Sequence, residues 1–414
     1  MSQANISLGI RTNSTQISLQ ILQIFLVGLT VGMTRVVIPG MAETDFGLAA
    51  NSFVLLSSFV VVFGVVKAIM NLFAGSLSEH HGRKRIMIAG WLVATPIPFL
   101  LYWAPSWNWV ILATVLLGFN QGLAWSMALN SKLDLAKTSQ KGLINGLNEF
   151  SGYLAVGLAG VVTAFIVELM GARLGLFVFS TIVIGSGLLL AIFTVTETLP
   201  WAALHHQNST TNKVTPNNTS LRQLFRFASL QNKPLVALNQ AGLVEKFTDA
   251  LIWIFLPVFF LQQGLSLLQA GSIIAVYGMT WGALQLITGP LSDRIGRKGL
   301  IVWGMILCGV SVLAFPLTSS VGLWTIESAL TGIGMAMLYP NLGAAVGDFS
   351  PAKSRATLVG IYRFWRDSGY AFGALAMGLL AQLSNSMTIP FLFVGVSMML
   401  SAFWLQIWMP KKPE

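Results

Sequence analysis

The chain has 414 residues, 55% of them hydrophobic and 9% charged, with a mean hydropathy of +0.73. Soluble domains carry about 25% charged residues, so this composition excludes a water-soluble globule. The net charge of +10 is no argument for nucleic acid, because the basic residues sit in short turns between apolar runs.

The first sixteen residues are polar, and no small-residue cleavage site follows the first apolar run, which therefore reads as an uncleaved first span. Apolar runs of about 20 residues, enough to cross the hydrocarbon core as helix, begin near Ile17, Ser52, Ile86, Asn108, Leu143 and Ala172. Six more begin near Pro234, Leu267, Gly299, Val321, Thr357 and Thr388. The expected organisation is an all-α membrane protein of twelve spans, with bundles at 1–196 and 234–414 and a polar linker at 197–233. The linker carries Lys213, Pro216, Asn217 and Asn218, and cannot bury enough apolar surface to fold alone. Arg222 and Arg226 among Leu221, Leu224, Phe225 and Phe227 suggest a short helix lying on the membrane surface. With twelve spans, 18 Lys and Arg from Arg11 to Lys412 fall on one side, and only Arg173 falls on the other. The positive-inside rule then places both termini in the cytosol. Cys308, the one cysteine, lies in an apolar run, which rules out an intrachain disulfide and leaves no metal cluster.

One stretch occurs twice. Gly75-Ser-Leu-Ser-Glu79-His-His-Gly82-Arg83-Lys84-Arg85 returns as Gly289-Pro-Leu-Ser-Asp293-Arg-Ile-Gly296-Arg297-Lys298, with matched residues 214 apart. Asp134 and Asp348, ending spans four and ten, keep the same offset, and Ser151-Gly152-Tyr153 returns as Ser368-Gly369-Tyr370. Duplicated six-span halves are a transporter architecture, with the substrate site between the halves near the midplane. The pattern G-x-L-a-D-r-x-G-r-k resembles the signature loop of the major facilitator superfamily. The second copy matches fully; the first has Glu79 for Asp and His80 for Arg. The resemblance implies two six-helix bundles around a central cavity, and a cytosolic gate in which Arg83 and Arg297 pair with Asp134 and Asp348. It also implies that the signature acid, Glu79 or Asp293, favours a helix N-terminus in the other half.

Ten ionisable residues fall inside spans: Arg35, Lys67, Glu149, Glu245, Lys246, Asp249, Glu327, Arg363, Arg366 and Asp367. Each costs on the order of 3 kcal/mol at the bilayer centre, so they should face a wet cavity or one another, and their five positive and five negative charges point to internal pairs. Glu245 and Asp249, four apart on span seven, share a helical face. Two such carboxylates can share a proton, because desolvation and a like charge both penalise double ionisation; salt bridges to Lys246 or Arg35 are the competing reading. Glu149 and Asp367 are the reserve candidates for proton coupling. On span eleven, Arg363 and Arg366 with the aromatic rim of Trp365 form a possible clamp for an oxyanion, unless Asp367 and Glu149 neutralise them. Lys67 and Asp367 lie at nearly equal depth and are expected to be neighbours. Asn120 and Gln121 in span four stand in a family pattern whose arginine is missing here, and span five lacks the Gly-Pro pair typical of drug/proton antiporters. Both departures point away from a standard multidrug exporter. Arg35, Lys67, Asn120, Gln121, Lys246, Arg363, Arg366 and Trp365 are the candidate substrate contacts.

The expected function is secondary transport of a small polar or charged solute by alternating access, proton-coupled and exporting. The alternatives are a carrier for an anion or a metal ion, and a non-transporting membrane sensor on the same fold. No nucleophile–base pair or metal-ligand spacing suggests an enzyme. No cofactor or resident metal is expected; the expected partners are a small-molecule substrate, protons and the lipid bilayer, with the chain a monomer in the bacterial inner membrane.

Overall fold

Backbone polar groups in hydrocarbon must be satisfied within their own segment, which makes helix the available form for an unpaired span. In the computed structural model, which describes residues 7–49, 51–208, 220–351 and 354–410, helices account for nearly all of the chain and no strand occurs among the described residues. Four lysines counted toward orientation, Lys213, Lys353, Lys411 and Lys412, lie outside these residues, as does the linker stretch 209–219 with Pro216, Asn217 and Asn218.

Twelve long helical segments run antiparallel in chain order. The first six are α1 (Ser14–Thr44), α2 (Phe53–His81), α3 (Arg83–Tyr102), α4 (Trp107–Leu135), α5 (Lys141–Met170) and α6 (Ala172–Phe193). The second six are α7 (Lys233–Gln262), α8 (Leu267–Ile295), α9 (Arg297–Ala314), α10 (Val321–Asp348), α11 (Arg355–Ser384) and α12 (Ile389–Trp408). Each begins within three residues of the expected start. Ten of them are apolar enough to cross a membrane by length and composition. The other two, α7 and α11, have the length to span but are too polar to pass that test; Glu245, Lys246 and Asp249 lie on one, and Arg363, Arg366 and Asp367 on the other. The polarity that disqualifies them marks where they face.

Local chemistry sets the helix ends. Ser266 and Gln269 form a reciprocal capping box at the start of α8, Ser320 caps α10, and Asn232 caps α7. Gly82 and Gly296 turn the chain from α2 into α3 and from α8 into α9 with φ of 89° and 92°, a region that L side chains rarely enter. The end of the molecule that carries these two turns is termed the basic face below.

The halves are pseudo-symmetric, and α1, α2 and α5 pack against α7, α8 and α11 to form the interface between them. On the outside, α6, α9 and α12 expose large apolar side chains such as Phe193, Ile182, Trp303 and Phe403, a surface suited to lipid. Glycines set how closely the halves approach. A Cβ at Gly64 would meet the backbone of Ala371 and the side chain of Tyr370, one at Gly378 would meet Ser57, and one at Gly271 would meet Gly160 and Ala164. These contacts lie in the half of the bilayer away from the basic face. Toward the basic face, Gly75, Gly142, Gly289 and Gly360 have open space where a Cβ would go. At Gly64, Gly378 and Gly271 the two halves thus meet in close contact.

The linker is helical at both described ends, at Leu199–Asn208 and Leu221–Arg226. Phe225 packs on Phe364 and Trp365 of α11, while Leu221 stays exposed.

Candidate functional site

The buried charges form three layers through the interface. The layer farthest from the basic face is built on Arg35 of α1 and Asp249 of α7, residues 214 apart and so related by the internal repeat. Their contact is bidentate, at 2.5 and 2.9 Å, and both residues are buried. The hydroxyls of Tyr277 on α8 and Tyr370 on α11 also donate to Asp249, the first at 3.0 Å. Four donors therefore occupy the two oxygens of this carboxylate. The Arg35 guanidinium lies 5.2 Å from the ring centre of Trp253. Above this layer, toward the opposite face, a vestibule of about 470 Å³ is lined by Val37, Gly40, Leu56, Val258 and Leu267.

The middle layer is Glu245 and Lys246, whose charged groups approach to 3.2 Å with both side chains fully buried. The Lys246 ammonium sits among four rings, Tyr339 at 4.6 Å, Trp281 at 4.7 Å, Tyr370 at 5.5 Å and Tyr153 at 5.7 Å. Ring faces partly replace water around a buried cation. Neither Glu245 oxygen accepts a hydrogen bond among the described residues. The expected face shared by Glu245 and Asp249 is thus resolved into two separate pairs with different cations, the competing salt-bridge reading of the sequence.

Nearest the basic face, a cavity of about 30 Å³ is bounded by α2, α4, α5, α10 and α11. Lys67, Asn71, Gln121, Glu149, Arg363 and Arg366 line it together with Trp125, Tyr339 and Asp367. Asp367 is held by Arg366 at 3.0 Å and by the amide of Asn71 from the other half. Lys67 and Asp367 do share this cavity, but the ion pair of Asp367 is with its neighbour Arg366. The pairing follows from reach, since residues 366 and 367 leave the helix close enough for the guanidinium to fold back. Lys67 instead lies 5.4–5.7 Å from the rings of Tyr370, Phe63 and Trp125.

A five-residue π-helical segment, Gln121–Trp125, interrupts α4 beside this cavity. Such insertions are frequent at functional sites, and here both ends of the segment line the cavity. Asn120 is placed differently from the expected substrate contact: its amide donates to the Gly90 carbonyl at 3.1 Å, tying α4 to α3. Gln121 lines the cavity while donating to the Val27 carbonyl at 2.9 Å. Trp365 also points elsewhere, its indole N–H donating to Ser229 in the linker at 2.8 Å. Glu327 accepts from Thr318 at 3.0 Å near the opposite face and has no part in the cleft.

Several contributors were not singled out from the sequence. Tyr277 and Asn71 are polar groups with no spacing signal. Lys132, counted with the loop charges, is instead fully buried in the last turns of α4, where its ammonium donates to the Gln20 carbonyl at 3.0 Å.

The basic turns repeat their contacts as they repeat their sequence. Arg83 reaches Asp134 at 3.1 Å and the Ser78 hydroxyl at 2.8 Å; Arg297 reaches Asp348 at 2.5 Å and the Ser292 hydroxyl at 3.0 Å. Lys84 donates to the Ile192 carbonyl and Lys298 to the Gln406 carbonyl, acceptors again 214 apart. All of these lie within one half. The signature acids do not reach a helix N-terminus of the other half here: Glu79 is exposed, and Asp293 pairs with Arg297 at 2.9 Å. At the start of α3 the carboxylate is Glu197, from the same half, which accepts from the backbone N–H of Arg83 at 2.9 Å and of Lys84 at 3.1 Å.

These features define a multi-pass helical membrane protein of two repeated bundles with a charged, aromatic-walled cleft between them. The chain belongs to the Major Facilitator Superfamily, whose profile matches residues 21–239 and 238–414. It is 27% identical over 140 residues to the quinolone resistance protein NorA of Staphylococcus aureus strain Mu50, covering 34% of this chain and 36% of that protein. It is 28% identical over 158 residues to multidrug resistance protein 1 of Bacillus subtilis strain 168, covering 38% and 40%. The matched segments thus span little more than a third of these relatives. Among solved structures, the D-xylose-proton symporter superposes with a TM-score of 0.76 at 16% identity, covering 96% of this chain and 98% of that one. A variant of the nucleoside transporter NupG gives 0.75 at 13% identity, covering 96% and 100%. At such identities the likeness is one of fold.

Proposed function

We propose that the chain is a secondary transporter that exports a small polar or charged solute in exchange for protons, by rocking its two halves about the cleft. The observation that carries this reading is the Arg35–Asp249 fork. It joins the halves at positions related by the repeat, at mid-membrane depth, and cannot persist when the opposite face opens. The positive-inside distribution makes the basic face cytosolic, and the conformer described is then the one closed toward the outside.

Proton coupling falls to Glu245 rather than Asp249. Protonating Asp249 must displace one of four donors, whereas a proton on Glu245 displaces none and releases Lys246 from its partner. The two bacterial relatives are named for drug resistance, an outcome that export would produce, against the sequence departures in spans four and five, which set this chain apart from a standard multidrug exporter. Reconstitution into liposomes, with solute movement followed with and without an imposed pH gradient, tests the proposal. Solute movement that ignores the gradient would remove the proton from it, and no movement of any candidate solute would favour the sensor reading.

A further inference from the structure

We infer that the cavity nearest the basic face is a binding site for the anionic head group of the solute, a carboxylate or another oxyanion, held by Lys67 and Arg363. This deepens the transport reading and rests on it for the word solute, although the site itself is tested without transport. Five charged side chains line the cavity: Lys67, Arg363, Arg366, Glu149 and Asp367. Asp367 and Arg366 neutralise each other at 3.0 Å, which removes the Arg363–Arg366 clamp that the sequence suggests. Glu149 takes the amide of Asn148 at 2.8 Å. Neither Lys67 nor Arg363 has a carboxylate within ion-pair distance among the described residues. The cavity therefore carries two cations against the one carboxylate of Glu149, and its remaining polar lining, Asn71, Gln121 and Ser126, is neutral.

The geometry also separates head from body. Lys67 comes from α2 and Arg363 from α11, one from each half, so an anion bridging them would bind both halves at once. Trp125 and Tyr339 flank the same cavity and offer ring faces to an apolar or aromatic body. At about 30 Å³ the cavity holds no more than a water or two in this conformer. A whole solute requires the halves to part further on the basic face.

The test is ligand-induced thermal stabilisation of the purified full chain in detergent. The probes are benzoate, benzenesulfonate and phenyl phosphate, set against benzylammonium and benzyltrimethylammonium at the same ionic strength. The anions should raise the unfolding temperature and the cations should not. Lys67→Gln and Arg363→Gln should each weaken the apparent anion affinity by about tenfold, and Lys67→Arg should keep most of it. Arg173→Gln, a change on the opposite face, should leave it unchanged. If Lys67→Gln does not fold, Arg363→Gln decides alone, since it has no ion pair to lose. Stabilisation by the cations instead, by none of the probes, or by the anions undiminished in both Gln variants would overturn the assignment. Because the readout is binding, its failure leaves the transport proposal standing, and a chain that binds anions but moves nothing would fail only the latter.

Discussion

Asp249 shows how a buried charge is kept and what its removal should do. Its two oxygens receive both arms of Arg35 and two tyrosine hydroxyls, so the desolvation of the pair is offset by directed hydrogen bonds. Removing one partner strands the other. Arg35→Gln or Asp249→Asn alone should lower unfolding stability by on the order of 3 kcal/mol, and the double variant should lose less than the two effects added. Unfolding in detergent around this double-mutant cycle checks the coupling; strict additivity would mean that the fork contributes nothing. Glu245 presents the opposite case, with no hydrogen bond to lose. Glu245→Gln should abolish pH-gradient-driven accumulation by roughly tenfold or more while leaving solute-for-solute exchange, which needs no net proton movement. Accumulation and counterflow in the same liposomes would separate the two, and full accumulation by Glu245→Gln would remove the residue from coupling.

Among the elements, the two basic turns share a sequence but differ in setting. Arg83 is buried between Asp134 and Ser78, with Glu197 holding the adjacent helix start; Arg297 is 22% exposed and Asp348 43% exposed. A half-exposed pair contributes about 0–1 kcal/mol. Arg297→Ala should therefore leave expression, insertion and melting temperature nearly unchanged while slowing transport several-fold. Arg83→Ala should lower the melting temperature as well. Measuring both properties in both variants checks the asymmetry, and an Arg297→Ala protein that cycles at the full rate would reduce that turn to a topology signal. The approach of α2 and α11 makes a second prediction. A Cβ at Gly64 would press on the Ala371 backbone, which has nowhere to give. Gly64→Val should disfavour the conformer closed on the opposite face, and faster reaction of a cysteine placed in the outer vestibule with a membrane-impermeant maleimide would reveal it.

At the scale of the whole molecule, the duplication was legible because it conserves letters: Gly82 and Gly296, Arg83 and Arg297, and Asp134 and Asp348 match at one offset. The twelve spans were legible because lipid demands long apolar runs, and α7 and α11 stood out by breaking that demand. What stayed hidden was partnership. Arg35 and Asp249 keep the same 214-residue offset, yet a search for identical residues passes over a pair of opposite charges. Arg366 choosing Asp367 over a solute, Asn120 turning to Gly90, and Trp365 turning to the linker depend on rotamers and helix rotation that spacing does not specify. Lys132 misled because a basic residue near a helix end reads as a loop charge until its carbonyl partner is seen. The central claim is that the halves alternate and that the Arg35–Asp249 fork biases them. Spin labels at Leu55→Cys and Leu383→Cys report the opposite face, and labels at His81→Cys and Ile295→Cys report the basic one, each pair crossing from one half to the other. Pulsed electron–electron distance measurements in lipid nanodiscs should give mostly short opposite-face distances in the otherwise native chain. Adding Asp249→Asn should move weight to long opposite-face and short basic-face distances together, in the same proportion. Distributions unchanged by Asp249→Asn at both faces would contradict the account.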